Sequence, residues 1–333
     1  MQLPFVTIVI PVRNEERILG QCLESIAALD YPRDRLEVIV ADSLSTDRSR
    51  AIAEQYGAKI VANPGRTVVS GRNRGLEAAR GEFVAFTDAD CVVSRHWLRA
   101  AVEAFAPGVA GVGGVTLFPK EASAFQKAVN VLFLMAGFAG ATAHRQNAGG
   151  TCEVNDIPGC NAIYRRSALL QVMPLDEDLL PGEDVWLNWM LRQRGFRHLL
   201  AENMILWHHR RSRPASFVRQ MYRFAIGRLQ VGRRCLRLLS PLHILAGAGI
   251  PLLAAGLVLA LVHGFLGLAV GLLLLAGAGA CALGTVQTGS LEAGCYVPPV
   301  IGLFLASWSC GFLRELFFPV KLRAATARER TKS

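Results

Sequence analysis

From Leu238 to Leu313 the chain carries one formally charged side chain, Glu292. A stretch this long cannot make a water-facing surface without charge, so it has to lie in lipid. It divides into three tracts, about Pro241–Val262, Phe265–Val286 and Cys295–Leu313. Each approaches the ~20 residues that a helix needs to cross the hydrocarbon layer. His263-Gly264 reads as the tight turn between the first two. Pro298-Pro299 in the third tract leaves a second option, in which that tract re-enters or lies in the interface. Length favours three crossings.

The net charge of +10 is localised. Residues 210–237 hold nine arginines and no acid, and this block abuts the apolar region. A basic patch in that place reads as a juxtamembrane segment facing anionic lipid headgroups on the cytoplasmic side, and no nucleic-acid partner is expected. Phe217, Tyr222, Phe224 and Leu229 interleave with the arginines, as in a helix lying at headgroup level. The end of the chain from Arg314 has six basic and two acidic residues, which also favours the cytoplasm. Both ends inside require an even number of crossings, so this bias conflicts with three. Eight cysteines are scattered without a C-x-x-C pair, and no zinc or redox motif is signalled. The first apolar run is short and breaks at Pro11, which suits a buried strand and not a signal peptide.

Ahead of the apolar region the pattern is that of an α/β domain. Phe5–Pro11, Leu36–Ala41, Ala58–Ala62 and Glu82–Thr87 are short runs rich in β-branched residues, the pattern of strands buried on both faces. Helical patterns alternate with them at Ile18–Ala28, Thr46–Tyr56 and Val69–Ala79. Alternation of this kind implies βαβ units and a mostly parallel sheet flanked by helices. Further along, Ala110–Leu117 and Ile157–Tyr164 read as strands and Glu183–Gly195 as a helix. Ser123–Ala143 has Lys127 as its one charge and reads as a buried or interfacial helix, because a span there would cut the head in two.

Polar residues follow three of these strands: Glu15 and Glu16, Asp42 and Ser43, Asp88 and Asp90. In open α/β sheets ligands bind beyond the carboxyl ends of the strands, so these groups are expected to meet along one edge. Asp88-Ala89-Asp90 is a D-x-D in a loop, and two carboxylates at that spacing can share a hard divalent cation, Mg²⁺ or Mn²⁺. Arg72 and Arg74 can reach phosphates or cap the next turn.

The ordered set of motifs resembles the family-2 glycosyltransferases with the GT-A nucleotide-sugar fold. The matching elements are Ile10–Glu16 (IPVRNEE), Ile39–Ser43 with Ser45–Asp47, Asn73-Arg74-Gly75 leading to Phe86–Asp90 (FTDAD), Gly182-Glu183-Asp184, and Gln220–Phe224 (QMYRF). The continuation from His208 through the arginines into lipid is similar to membrane-bound bacterial exopolysaccharide transferases of the succinoglycan-assembly type. Ser43 stands where the family often has a second acid, and Phe224 where processive synthases usually carry Trp.

The resemblance implies a Rossmann-like catalytic domain over residues 1–207, a basic interfacial segment over 208–240, transmembrane helices over 241–318 and a basic tail over 319–333. It implies an inverting transfer from a nucleotide-diphosphate sugar to a lipid-linked acceptor at the cytoplasmic face of the plasma membrane; UDP-sugars are favoured among donors only because they are the commonest. Pro11, Glu15, Asp42 and Ser43 would line the nucleoside pocket, and Arg74 and Arg223 would reach the diphosphate. Asp88 would face the ribose and phosphates, Asp90 would hold the metal with Asp88, and His208 would complete its shell. Asp184 would be the general base and Glu183 would orient the acceptor. A sugar-phosphate nucleotidyltransferase also uses strand-end acids, but Arg13–Glu16 stands where such enzymes carry a Gly-rich loop. The intact Asp88, Asp90 and Asp184 argue against an inactive membrane scaffold.

Overall fold

A computed structural model describes residues 3–119, 121–135, 150–177, 179, 181–209 and 213–320. The chain forms two units, each described by itself. The first comprises Met1–Pro119, Ala139–Glu177 and Glu183–His209; the second comprises Lys120–Phe138, Asp178–Gly182 and Arg210–Ser333.

In chain order the first unit begins β1 (Val6–Val12), α1 (Leu19–Ala27), β2 (Leu36–Asp42), α2 (Ser49–Gln55), β3 (Lys59–Ala62), α3 (Val68–Ala78) and β4 (Phe83–Phe86). These are the alternating elements expected from the β-branched runs. β3, β2, β1 and β4 are neighbours and all parallel. Pro11 falls past the β1–β4 ladder, which ends at Val9–Phe86, so its missing N–H costs no bond on that side. Ile8, Ile10 and Val12 face one side with Leu19, Cys22 and Leu23 of α1, while Val9 faces α3 on the other. Burial on both faces is why these strands read as continuous apolar runs.

β5 (Cys91–Val93), α4 (Trp97–Ala104), β6 (Val109–Leu117), α5 (Ala124–Met135), β7 (Cys152–Val154), β8 (Ala162–Arg165), α6 (Arg166–Leu169), α7 (Glu183–Gln193) and β9 (Arg197–His208) follow in the chain, all in the first unit except α5. The sheet continues from β4 through β8, β6 and β9 to β5, with β7 also on β9. Here β8 is antiparallel to β4 and β6, and β9 is antiparallel to β5 and β7. The fold is thus a parallel α/β half extended by a mixed one.

Two sequence expectations need adjusting. The strand read at Ile157–Tyr164 begins at Ala162; residues 157–161 form a turn around Pro158 and Gly159. The long strand β9 was not expected. Its register against β6 jumps between Ala201 and Ile205, opposite Gly114-Val115, and this bulge breaks the period-2 pattern. A Cβ on Gly114 would overlap the carbonyl oxygen of Met204, so the bulge requires glycine there.

The second unit holds α5, α8 (Pro214–Arg234), α9 (Pro241–Val262), α10 (Leu266–Thr288) and α11 (Leu291–Phe317). Helices α9, α10 and α11 are each long and apolar enough to cross a membrane. Gly264, at φ 78°, makes the expected turn between α9 and α10. α11 runs unbroken through Pro298 and Pro299 and packs on α5, α8, α9 and α10. Its Ser309 hydroxyl donates to the Gly247 carbonyl of α9 at 2.6 Å and its Trp308 Nε1 to that of His243 at 3.2 Å. In lipid, where the hydrophobic effect does not act between helices, small residues and such cross-helix bonds are what hold helices together.

α8 is amphipathic. Phe217, Met221, Ala225 and Leu229 are buried at four-residue spacing, and Phe217 meets Phe125 of α5 edge-on at 5.9 Å. Near its end Arg233 pairs with the fully buried Glu315 of α11 at 3.1 Å, which also accepts from Arg314 at 3.0 Å. The remainder of the apolar segment read as Ser123–Ala143, Arg210 and Arg211 of the basic block, and the tail from residue 321 lie outside the described residues.

Candidate active site

The parallel strands deliver their polar ends to one rim. After β1, Asn14 turns at φ 54°, its N–H donating to Ser45 Oγ at 3.0 Å while its side-chain oxygen accepts from Thr46 N. Glu15 N donates to Ser49 Oγ at 2.8 Å, and Glu16 and Asp47 exchange bonds with the facing loop. The loops after β1 and β2 therefore hold each other. Asp42 is wholly buried and accepts from Ser45 N at 3.2 Å and Arg50 Nη1 at 3.1 Å. Ser43 N donates to the Val12 carbonyl at 2.8 Å, and the Ser43 hydroxyl accepts from Asn63 at 2.9 Å. Pro11 adjoins the close approach of Gly71 and Asn63.

One strand over, β4 ends at Phe86 and β5 starts at Cys91, so Asp88-Ala89-Asp90 is the turn between them, closed by Cys91 N donating to the Asp88 carbonyl at 3.1 Å. β9 is antiparallel to β5 and pairs His208 with Cys91. That register places the imidazole beside the turn, with His208 Nε2 3.2 Å from Asp90 Oδ1. Donor atoms of Asp88, Asp90 and His208 all lie within 4.8 Å of one another.

Electrostatics at the cluster favour an added positive charge. Burial, with Cys160 and Asp90 adding to it, raises the Asp88 carboxyl to about 7 against the pull of Arg72. Burial disfavours the His208 imidazolium, but the Asp90 carboxylate outweighs it and pushes the ring up to about 10. Two carboxylates crowd each other, and the proton on the imidazole partly offsets them. A divalent ion would do so more fully. Oxygen donors with one imidazole nitrogen suit Mn²⁺ well and Mg²⁺ acceptably, so the residues fit such an ion.

Arg72 connects this cluster to the rest of the site. It is almost fully buried, with Nη1 2.9 Å from Glu183 Oε1, Nη2 3.0 Å from the Gly159 carbonyl and 3.6 Å from Asp88 Oδ1. Its guanidinium also lies 5.5 Å from the centre of the Phe86 ring. Asp184, beside Glu183 in the first turn of α7, accepts from Val185 N at 2.8 Å and Gly159 N at 3.3 Å. The Gly159 peptide thus touches both Arg72 and Asp184.

The structure gathers Asp88, Asp90, His208, Glu183 and Asp184 around Arg72, with Pro11, Glu15, Asp42 and Ser43 at the neighbouring strand ends. Arg74 is placed differently. Two positions beyond Arg72 on α3, it lies on the exposed side and pairs with Glu77 at 2.9 Å. Arg223 belongs to the second unit, on the exposed side of α8. Sequence reasoning offered both Arg72 and Arg74 for phosphates and named Arg74 for the diphosphate, whereas Arg72 is the one turned into the cluster; it also passed over Cys91 and Cys160, which lie beside His208. A cleft of about 600 Å³ lined by Phe5, Arg35, Arg80 and Arg166 lies at the opposite ends of β1 and β4 and is unrelated to this cluster.

Known proteins resemble this chain in sequence and in fold. The family model for Glycosyl transferase family 2 matches residues 7–173. Glycosyltransferase AglE of Haloferax volcanii is 26% identical over 239 residues, covering 69% of this chain and 74% of that protein. A Methanococcus voltae protein, dolichyl N-acetyl-alpha-D-glucosaminyl phosphate 3-beta-D-2,3-diacetamido-2,3-dideoxy-beta-D-glucuronosyltransferase, is 24% identical over 231 residues, covering 65% and 70%. Among solved structures, mannosyltransferase PcManGT from Pyrobaculum calidifontis, in complex with GDP-Man and Mn²⁺, superposes with a TM-score of 0.66 at 20% identity, over 95% of this chain and 88% of that one. At that identity the likeness is one of fold.

Proposed function

Since this chain belongs to glycosyl transferase family 2 and is a glycosyltransferase, we propose that it moves a sugar from a nucleotide-diphosphate donor to a lipid-linked acceptor, with inversion, at the cytoplasmic face of the plasma membrane. The observation that carries this reading is the bridge of Arg72 between Asp88 and Glu183, which joins a cation-ready cluster to a carboxylate pair at the start of α7.

The first unit is then the catalytic domain. Pro11, Glu15, Asp42 and Ser43 form the rim that receives the nucleoside. Asp88, Asp90 and His208 would hold the divalent ion, which supplies positive charge against the diphosphate as it departs. Asp184 takes the proton of the acceptor hydroxyl while that oxygen bonds to the anomeric carbon and the carbon–diphosphate bond breaks. One displacement from the face opposite the leaving group inverts the centre. The backbone bonds from Gly159 and Val185 hold the Asp184 carboxylate in place for this role. Glu183 orients the acceptor, and Arg72 positions Glu183 and Asp88 from behind.

The name of the Methanococcus voltae relative includes a dolichyl phosphate-linked sugar, which supports a lipid-linked acceptor. The second unit supports a membrane setting, with three helices able to span and the arginines of α8 able to meet anionic lipid. Polysaccharide or glycolipid assembly is the context that fits both.

Donor hydrolysis by the full chain in detergent, run over a panel of nucleotide sugars with and without Mn²⁺, tests the reading. One or a few donors, UDP-sugars first, are expected to turn over in a Mn²⁺-dependent way that Asp90→Asn abolishes. Metal-independent turnover, or full activity of that variant, would sink it.

A further inference from the structure

His208 presents its two ring nitrogens to two different donor sets. Nε2 faces Asp90, 3.2 Å away. Nδ1 faces Cys160 Sγ, 4.0 Å away. Cys91, directly opposite His208 in the β5–β9 ladder, is hydrogen-bonded to Cys160 and lies 3.9 Å from Asp90 Oδ1. Donor atoms of Cys91, Cys160 and His208 all lie within 4.8 Å of one another. We propose that these three residues form a second cation site, for a thiophilic divalent ion such as Zn²⁺, which shares its imidazole with the carboxylate pair.

Ligand chemistry separates the two sites. Two sulfurs and an imidazole nitrogen are a zinc set, whereas Asp88 and Asp90 suit harder ions. In tetrahedral zinc the ligand atoms stand roughly 3.5–3.8 Å apart, from bonds of ~2.3 Å to sulfur and ~2.0 Å to nitrogen. The observed spacings, up to 4.8 Å, would have to shorten by about 1 Å as the ion binds. A water fills the fourth position. Strand pairing fixes Cys91 against His208, and the turn at Gly159-Cys160 brings the third ligand. As zinc binds, both thiols release their protons and coordinate as thiolates.

The shared ring makes the two sites exclusive. A neutral imidazole has one nitrogen with a free lone pair and one carrying hydrogen. Zinc on Nδ1 leaves Nε2–H donating to Asp90, and an ion on Nε2 leaves Nδ1–H pointing at Cys160. Zinc is therefore an inhibitor that removes His208 from the other site. This consequence rests on reading Asp88, Asp90 and His208 as the holder of the donor's cation; the thiolate site itself does not.

Cobalt(II) reports on the site directly. Titrated into the reduced full chain in detergent, it is expected to give near-ultraviolet thiolate-to-cobalt charge-transfer absorption, saturating at one ion per chain and reversed by Zn²⁺. Cys91→Ser/Cys160→Ser removes that band. A wild-type chain with no thiolate band, or a double variant that keeps it, overturns the proposal. In a second arm, Zn²⁺ is titrated against Mn²⁺-supported donor hydrolysis, each variant measured against its own zinc-free rate. Cys160→Ser should need at least about tenfold more zinc for half inhibition, as expected for the loss of a metal-site residue. A cobalt band with no inhibition by zinc overturns the competition. A chain that shows the band but no Mn²⁺-dependent turnover of any donor refutes the proposed function and leaves the thiolate site standing.

Discussion

Arg72 Nη1 lies 2.9 Å from Glu183 Oε1, a buried ion pair between residues 111 positions apart that ties α3 to α7. Removing one partner of such a pair leaves an uncompensated charge, at a cost of about 3–5 kcal/mol. Arg72→Met is expected to lower the unfolding midpoint of the detergent-solubilised chain sharply. Arg72→Met/Glu183→Leu is expected to recover part of that loss, because Glu183 is then no longer left as an unpaired charge, while Asp88 still lacks its arginine. Denaturant unfolding of the two variants checks this; equal midpoints would show that the pair carries no coupling.

Asp184→Asn keeps a side chain of the same shape and an oxygen that can accept from Gly159 N or Val185 N. It removes the proton acceptor. The transfer rate is expected to fall about 10²–10⁴-fold with donor affinity and thermal midpoint close to wild type. Parallel measurement of turnover and donor binding tests the assignment, and a matching loss of donor affinity would refute it.

His208→Ala leaves Asp88 and Asp90 in place. Loss of a residue that merely supports a ligand already weakens metal sites by about 10–100-fold. The Mn²⁺ concentration for half-maximal activity is therefore expected to rise at least about tenfold, with the rate at saturating Mn²⁺ falling less than the affinity. A Mn²⁺ titration of donor hydrolysis reads this.

Gly114→Ala drives a methyl group into the Met204 carbonyl at the β6–β9 bulge. The expected cost is about 1–3 kcal/mol, seen as a lower unfolding midpoint. A neutral outcome would mean that the bulge can relax, and the register of β9 with it.

Burial, with the Arg192 charge adding to it, pushes His198 down to about 4. Its ordinary value is about 6.5. Between those values the unfolded chain binds a proton that the folded chain does not, so stability rises with pH across this window. The contribution is complete above about 6.5 and is lost as pH falls toward 4, at most about 3 kcal/mol. His198→Gln should flatten that slope in the unfolding midpoint between pH 4 and 6.5.

The parallel half of the fold was legible because β1, β2 and β4 are largely buried and read as predominantly apolar runs rich in β-branched residues. β9 was not, because Glu202, Asn203 and Met204 loop out of register and place polar residues where alternation would put apolar ones. Asp88 and Asp90 could be read from adjacency in the chain, and Asp42 from its position after a strand. Arg74 was named for the diphosphate and Arg72 was not, since only the packing of α3 decides which of two arginines on a helix turns inward. Cys91 and Cys160 gave no spacing signal because the sheet, not the local chain, brings them to one ring nitrogen. The bounds of α9 followed from hydropathy alone, while α11 ran on past Leu313 because Glu315 is shielded by Arg233 and Arg314.

That clamp between Arg233 and Glu315, with the Phe217–Leu229 row behind it, sets where the chain can be cut for work in aqueous buffer. A product ending after Arg234 would keep the whole of α8, bare an oily stripe along it, and strip Arg233 of its counter-charge. Such a fragment is expected in the pellet; a stop codon ahead of Pro214 leaves α8 out but bares the face of α5 that Phe125 turns to Phe217.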